Sequence, residues 1–327
     1  VTSSSRQESA APPARADRPM FAIALRLAAM AMLSTMFMLA KLAGEAGVAV
    51  PELIFWRQAM SLPLIAGVLL ATGRIHLLRT NRMASHAKRA TTGTVGLCCN
   101  LSAATLLPLP VATTLGFTTP LFAVLITALV LREMVGKWRW TAVVLGFVGV
   151  LVISRPGDAP VPALGLAAGL GAGVIVAIVS FQIRDLARTE APIACVFWFA
   201  FYGSLFTAIL LPFYAQPHGA REWLLLGAIG LSGALAQFLI TAALRFGQVA
   251  TVVVMDYTAL IWSTLYGWVI WDHLPAATMW LGAPLIVVAG LIITSREHFL
   301  SRRISPTSAL DEAATEEAQP EKMPVGT

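Results

Sequence analysis

The stretch TTPLFAVLITALVLREMVGKWRWTAVVLGFVGVLVI, residues 118–153, holds two apolar runs on either side of a short charged turn. No charge falls between Thr118 and Leu131, and none between Trp140 and Ile153. With their apolar flanks the runs extend to 112–131 and 138–154, which fits the roughly 17–25 residues that a helix needs to cross a bilayer. A lipid-exposed backbone must satisfy its own hydrogen bonds, so helices are the natural reading. The alternating segments of about ten residues that mark a membrane β-barrel do not occur.

Outward from this pair the pattern continues as 21–43, 52–72, 92–110, 163–183, 192–213, 223–244, 250–271 and 277–295. The fold class is therefore an all-α integral membrane protein with ten transmembrane helices. Composition agrees: 57% hydrophobic residues and 12% charged, against about 25% charged in soluble domains. The runs are too many and too long for a signal peptide.

Basic residues set the direction. With the N-terminus inside, 19 of the 23 Lys and Arg residues fall on the inner side; only Lys41, Arg57, Arg155 and Arg221 do not. Basic loops stay cytoplasmic, so both termini are expected there, in a bacterial inner membrane. The net charge of +6 is then a topology signal. Its scatter over loops gives no nucleic-acid face. The polar tails 1–20 and 305–327, the second acidic, are expected to be disordered.

The chain also repeats. Glu133 precedes Trp140 by seven residues, as His273 precedes Trp280. The same offset of 140 pairs Thr118 with Thr258, Leu145 with Leu285, Val148 with Val288 and Ile153 with Ile293. Because each repeat has five spans, the second enters the membrane from the opposite side. That places Glu133 at the inner surface and His273 at the outer. Inverted repeats are a transporter device, with substrate held between them near the midplane. The repeats are expected at 21–155 and 163–296.

Motifs in both halves resemble EamA-type members of the drug/metabolite transporter superfamily. They are PELIFWRQAMSLP (51–63), the opening stretch, and MDYTALIWSTLYGWVIWDHLPAATMWLGAPLIVVAGLII (255–293). The resemblance covers about 21–296. It implies two inverted five-helix repeats and movement of amino acids, other metabolites or drugs, frequently outward. One position departs: the family's acid falls on His273, and the acid here is the preceding Asp272.

A charge inside a span costs about 2.5–3.5 kcal/mol or more, so each needs a reason. Asp256, followed by Tyr257 and Thr258, has two readings. It contacts a substrate amine or couples a proton; or it forms an ion pair that locks the ninth span to a neighbour. Arg57 either snorkels or faces the solute, and Lys41 snorkels more easily. Asn100, Gln237 and Thr118 are candidates to dot a polar cavity, and Trp262 to stack on a solute. Packing is the alternative for each.

Gly165, Gly169 and Gly173 form a ridge of small residues for close helix contact. Pro120 and Pro284 are expected to kink their helices. Cys98, Cys99 and Cys195 show no metal-ligand spacing. All five His residues lie in loops or at span ends, which argues against a buried metal or acid–base site. No phosphate-cradling motif is present. No cofactor is expected, and the partners are a small solute and the bilayer. The leading function is a secondary transporter, with export expected. The alternatives are a membrane-embedded enzyme acting on a lipid and a passive channel.

Overall fold

The computed structural model describes residues 18–154, 162–246 and 254–295. Every regular element among them is helical. In order these are α1 (Pro19–Glu45), α2 (Val50–Ala59), α3 (Ser61–Ala71), α4 (Met83–Leu106), α5 (Leu109–Gly116), α6 (Thr119–Leu129), α7 (Lys137–Ser154), α8 (Ala163–Leu186), α9 (Pro192–Ala208), α10 (Leu211–Tyr214) and α11 (Ala220–Phe246). Then come α12 (Ala259–Trp271) and α13 (Ala277–Ser295). Short 3-10 turns lie at Ile75–Leu78 and Val254–Thr258.

Seven helical segments among the described residues are long and apolar enough to cross a membrane. Val50–Ala71 and Leu109–Leu129 are each made of two consecutive helices. Large apolar side chains line the outside, such as Val144, Ile261 and Leu281, each more than 60% exposed. Exposed apolar surface of this kind suits a lipid solvent. Residues 1–17 and 305–327 of the expected tails and residues 250–253 lie outside the described residues, while Pro19 and Met20, expected in the tail, begin α1.

One span is shifted relative to its expected place. The third, expected at 92–110, is a helix from Met83 to Leu106 and stops before Pro108. Its polar first turns do not interrupt it because His86 and Arg89 are buried, packed beside Trp198 and Phe199 of α9.

The two prolines sit in different local structure. Pro284 lies inside α13 without interrupting it. Near Pro120 the helix is broken, and the break falls at Phe117–Thr118. Proline has no N–H to give to the carbonyl of Gly116, four residues earlier. The Thr119 hydroxyl donates to that carbonyl instead, at 2.9 Å.

The second half repeats these devices at the 140-residue offset. Thr118 Oγ1 donates to the Leu115 carbonyl at 2.6 Å, and Thr258 Oγ1 to the Met255 carbonyl at 2.7 Å. Each threonine stands where a new helix starts, α6 or α12. The far ends of those helices match too. Arg132 and Asp272 are both left-handed, with φ of 55° and 51°. The next amides, of Glu133 and His273, donate to the carbonyls of Thr127 and Gly267, both at 3.1 Å. This is the six-residue closure of a helix C-terminus. Asp272 therefore occupies a turn position equivalent to Arg132, and His273 is the counterpart of Glu133. Both Glu133 and His273 are exposed.

Packing between helices follows the same exchange. α1 lies on α11 as α4 lies on α8, and α2 packs on α9. α1 runs beside α12 as α8 runs beside α5 and α6. Each of these contacts has a partner when the first half of the chain is exchanged with the second. Gly267 of α12 sits beside Pro110, at the start of α5, so the two broken spans run antiparallel. α7 and α13 meet at Gly149 and Gly282, where a Cβ on either would lie 2.7 Å from the other's carbonyl oxygen.

Candidate functional site

The broken spans meet at their breaks. Phe117 and Tyr257, related by the 140-residue offset, meet edge to face with ring centroids 4.9 Å apart. The local two-fold relation between the halves thus passes between two aromatic rings. Beside them lies a cavity of about 540 Å³, walled by α1, α2, α4, α5, α6, α8, α11, α12 and α13. Small-molecule sites span about 300–1,000 Å³ and are mostly apolar with a few polar groups. Apolar residues dominate the wall here, with Ser34, Asn100, Thr113 and Tyr257 among the polar ones.

Asp256 lines the cavity and is held by Arg26 of α1. Arg26 Nε to Oδ1 is 2.5 Å and Nη2 to Oδ2 is 2.7 Å, a two-pronged fork that gives geometry as well as energy. The ion-pair reading of Asp256 is thus the arrangement present, and the same carboxylate faces the cavity. The arginine Nη1 is buried without an acceptor. Position 116, the counterpart of 256 at the repeat offset, is glycine. At this pair of positions the two halves therefore differ in charge.

Tyr257, Arg57, Asn100 and Pro120 also line the cavity. Asn100 Nδ2 donates to the carbonyl of Gly96 on its own helix, at 3.1 Å. Three other expected candidates are not among the lining residues. Thr118 is fully buried under α8, where a Cβ on Gly173 would come within 2.5 Å of its hydroxyl. Gln237 is half-buried on α11. Trp262 is tilted against Tyr266 at 6.4 Å. The aromatic groups that do face the cavity are Phe37, Phe117 and Tyr257. Lys41 donates to the Leu107 carbonyl at 2.8 Å.

The glycine ridge meets the first repeat along its length. A Cβ on Gly165 would lie 2.6 Å from Leu107 Cδ2, and one on Gly169 would lie 2.6 Å from Leu115 Cδ1. The side chains opposite belong to the α4–α5 turn and to the broken span.

Two of the histidines expected in loops or at span ends have buried side chains, each beside a glutamate. His218 Nε2 is 2.7 Å from Glu52 Oε1, and both side chains are under 5% exposed. His86 Nε2 is 3.5 Å from Glu190 Oε2, again buried. Glu52 is in the first turn of α2 and Glu190 lies two residues before α9. His218 lies just before α11 and His86 lies early in α4. The two contacts are exchanged by the repeat. Each joins one half to the other, at opposite ends of the bundle. Single residues in loops gave no signal of this, since each partner is over 100 residues away. Among the described residues no group of His, Cys, Asp and Glu is placed to hold a metal ion.

An all-helical membrane bundle with a solute-sized cavity between two related halves defines a polytopic transporter-type protein. Similarity to known proteins gives the family. The EamA-like transporter family profile matches twice, over residues 20–155 and 163–295, and the chain belongs to that family. A riboflavin transporter of Vibrio cholerae is 32% identical over 75% of this chain and 83% of its own length. The pseudopaline exporter CntI of Pseudomonas aeruginosa is 28% identical, over 76% and 88%. An S-adenosylmethionine uptake transporter of Rickettsia bellii is 24% identical, over 77% and 87%. A solved crystal structure shares the fold at 23% identity, with a TM-score of 0.57, over 86% of this chain and 98% of its own. The family and these relatives are transporters; none is named as an enzyme.

Proposed function

We propose that this protein is a secondary transporter of a small amphipathic organic metabolite, working by alternating access across a bacterial inner membrane. The cavity carries the proposal, because it lies where the two broken spans meet and draws its walls from both repeats. An enzyme on a lipid would place its chemistry at one membrane face, and a channel has no need of closures at both ends. In this reading the ten-span count groups α4, α9 and the Val254–Trp271 segment with the seven apolar spans. The halves are the two repeats, 21–155 and 163–296, and both termini are cytoplasmic.

Glu52–His218 closes the outer end in this orientation, and His86–Glu190 the inner. One must part while the other holds. Arg26–Asp256 lies on the inner side of the cavity and adds to that closure. A proton or a solute that separates this pair couples cavity occupancy to opening. The glycine ridge of α8 supplies the seam on which the broken span slides. Export is the direction assigned, since the exporter of P. aeruginosa is the more similar of the two relatives whose names state one. Saturable counterflow of a labelled metabolite in proteoliposomes is the expected behaviour. Non-saturable flux would mark a channel, and product formation an enzyme.

A further inference from the structure

The charges facing the cavity do not cancel. Arg26 and Arg57 line it, with Asp256 as the one acid among the lining residues. Asp256 is committed to Arg26 through two hydrogen bonds. Arg57 is 9% exposed. Its Nε faces Met36 Sδ at 3.3 Å, and its Nη1 donates to Gln58 Oε1 at 3.0 Å. Those partners are a thioether and a neutral amide. No carboxylate among the described residues pairs with Arg57.

The side chain is held in place. A Cβ on Gly233 of α11 would lie 3.1 Å from Arg57 Cγ and from Met36 Sδ, so three helices enclose its stem. A buried arginine without a counter-ion is costly in the membrane zone and marks an ion or substrate path. A guanidinium is also the group best shaped to grip a carboxylate with two parallel hydrogen bonds.

We infer that Arg57 is the anion-binding end of the cavity, and that the solute is an organic anion with an apolar or aromatic body and a carboxylate. The body lies along Leu33, Phe37, Leu97 and the Phe117–Tyr257 edge, which supply the apolar wall. The carboxylate supplies the counter-charge that the protein lacks at Arg57. This rests on the transporter reading and names the solute class for the same cavity.

The test compares matched probes on the full-length protein in detergent by thermal shift. Indole-3-acetate is the anion and indole-3-acetamide its neutral twin; phenyl phosphate asks whether phosphate serves as well. The acetate is expected to raise the melting temperature by several degrees at millimolar concentration, through mass action, and the amide by less than about one degree. Arg57→Gln should abolish the response and Arg57→Lys retain part of it. If Arg57→Gln does not accumulate, Gly233→Ala presses a methyl group against the Arg57 stem and Met36 Sδ, each 3.1 Å away, without removing the charge, and should weaken acetate binding. Equal stabilisation by acid and amide, an unchanged response in Arg57→Gln or in Gly233→Ala, or no response to the carboxylate overturns the inference. A response to phosphate alone replaces carboxylate by phosphate and overturns the class as stated. Counterflow separates this from the transporter reading. Movement of riboflavin, a neutral solute, with indole-3-acetate inert would sink the anion class and keep the carrier. No counterflow of either would sink the carrier itself.

Discussion

Asp256→Asn tests whether the central ion pair is a lock. Asparagine keeps one carbonyl acceptor and removes the charge. Arg26 is left with one weakened hydrogen bond, and its Nη1 already has no acceptor. Its side chain is 9% exposed, so solvent cannot take over. Breaking a buried pair from one side costs about 3–5 kcal/mol. Asp256 is 31% exposed, which places the loss at the low end, about 3 kcal/mol. Arg26→Gln strands a carboxylate that keeps some access to water, for about 2 kcal/mol. The double variant leaves two neutral amides that can pair with each other. It should recover about 2 kcal/mol of the summed losses, within the range for contacting residues. At roughly 2 °C per kcal/mol, Asp256→Asn lowers the melting temperature by about 6 °C, and the double variant by clearly less than the two singles added. Thermal unfolding of the four proteins in one detergent reads this directly. Strict additivity would refute the lock.

Further outcomes follow from the same geometry. Asp256→Asn should insert in the membrane yet lose most net transport; normal transport across pH 5–8 would remove Asp256 from the mechanism. Gly169→Leu should cost about 1–3 kcal/mol by overpacking against Leu115 and lower transport sharply. Val144→Leu is the control for it, since Val144 is 63% exposed; equal transport by both variants would mean the ridge is no seam. Glu52→Gln removes the acid from His218 and should raise labelling of the outer end by membrane-impermeant thiol reagents at an introduced cysteine, with unchanged labelling counting against that closure. Reporter fusions at Ser305 and in the 214–222 loop should read cytoplasmic and periplasmic respectively; a periplasmic signal at Ser305 contradicts the topology.

The membrane class was legible because it is written in uninterrupted runs such as Thr118–Leu131, where every residue votes the same way. The offset of 140 was legible from Glu133–Trp140 and His273–Trp280. It turned out to index local chemistry as well: the threonine bonds at 118 and 258, the left-handed residues at 132 and 272, and the ring contact of Phe117 with Tyr257. What stayed hidden depends on partners distant in sequence. Arg26 read as one more inner-side cation, and its carboxylate lies 230 residues away. His86 and His218 read as loop or span-end histidines, and their burial comes from the other half. Trp262 read as either a solute contact or core packing, because depth does not choose between the cavity face and a neighbouring helix. The start of the third span was misplaced for the same reason, since His86 and Arg89 look like a polar loop until α9 covers them.

Alternating access requires the two ends to open in turn, and paired spin-label distances test this without knowledge of the solute. Labels at Ala46 and Ala215 report the end closed by Glu52–His218, and labels at Ala84 and Thr189 the end closed by His86–Glu190; all four positions are exposed. In lipid nanodiscs the account predicts two distance populations at each end. Asp256→Asn, which loosens the inner closure, should shift them in opposite directions, lengthening the inner distance and shortening the outer. A single narrow distance at both ends, unchanged by that substitution, would contradict alternating access in this protein.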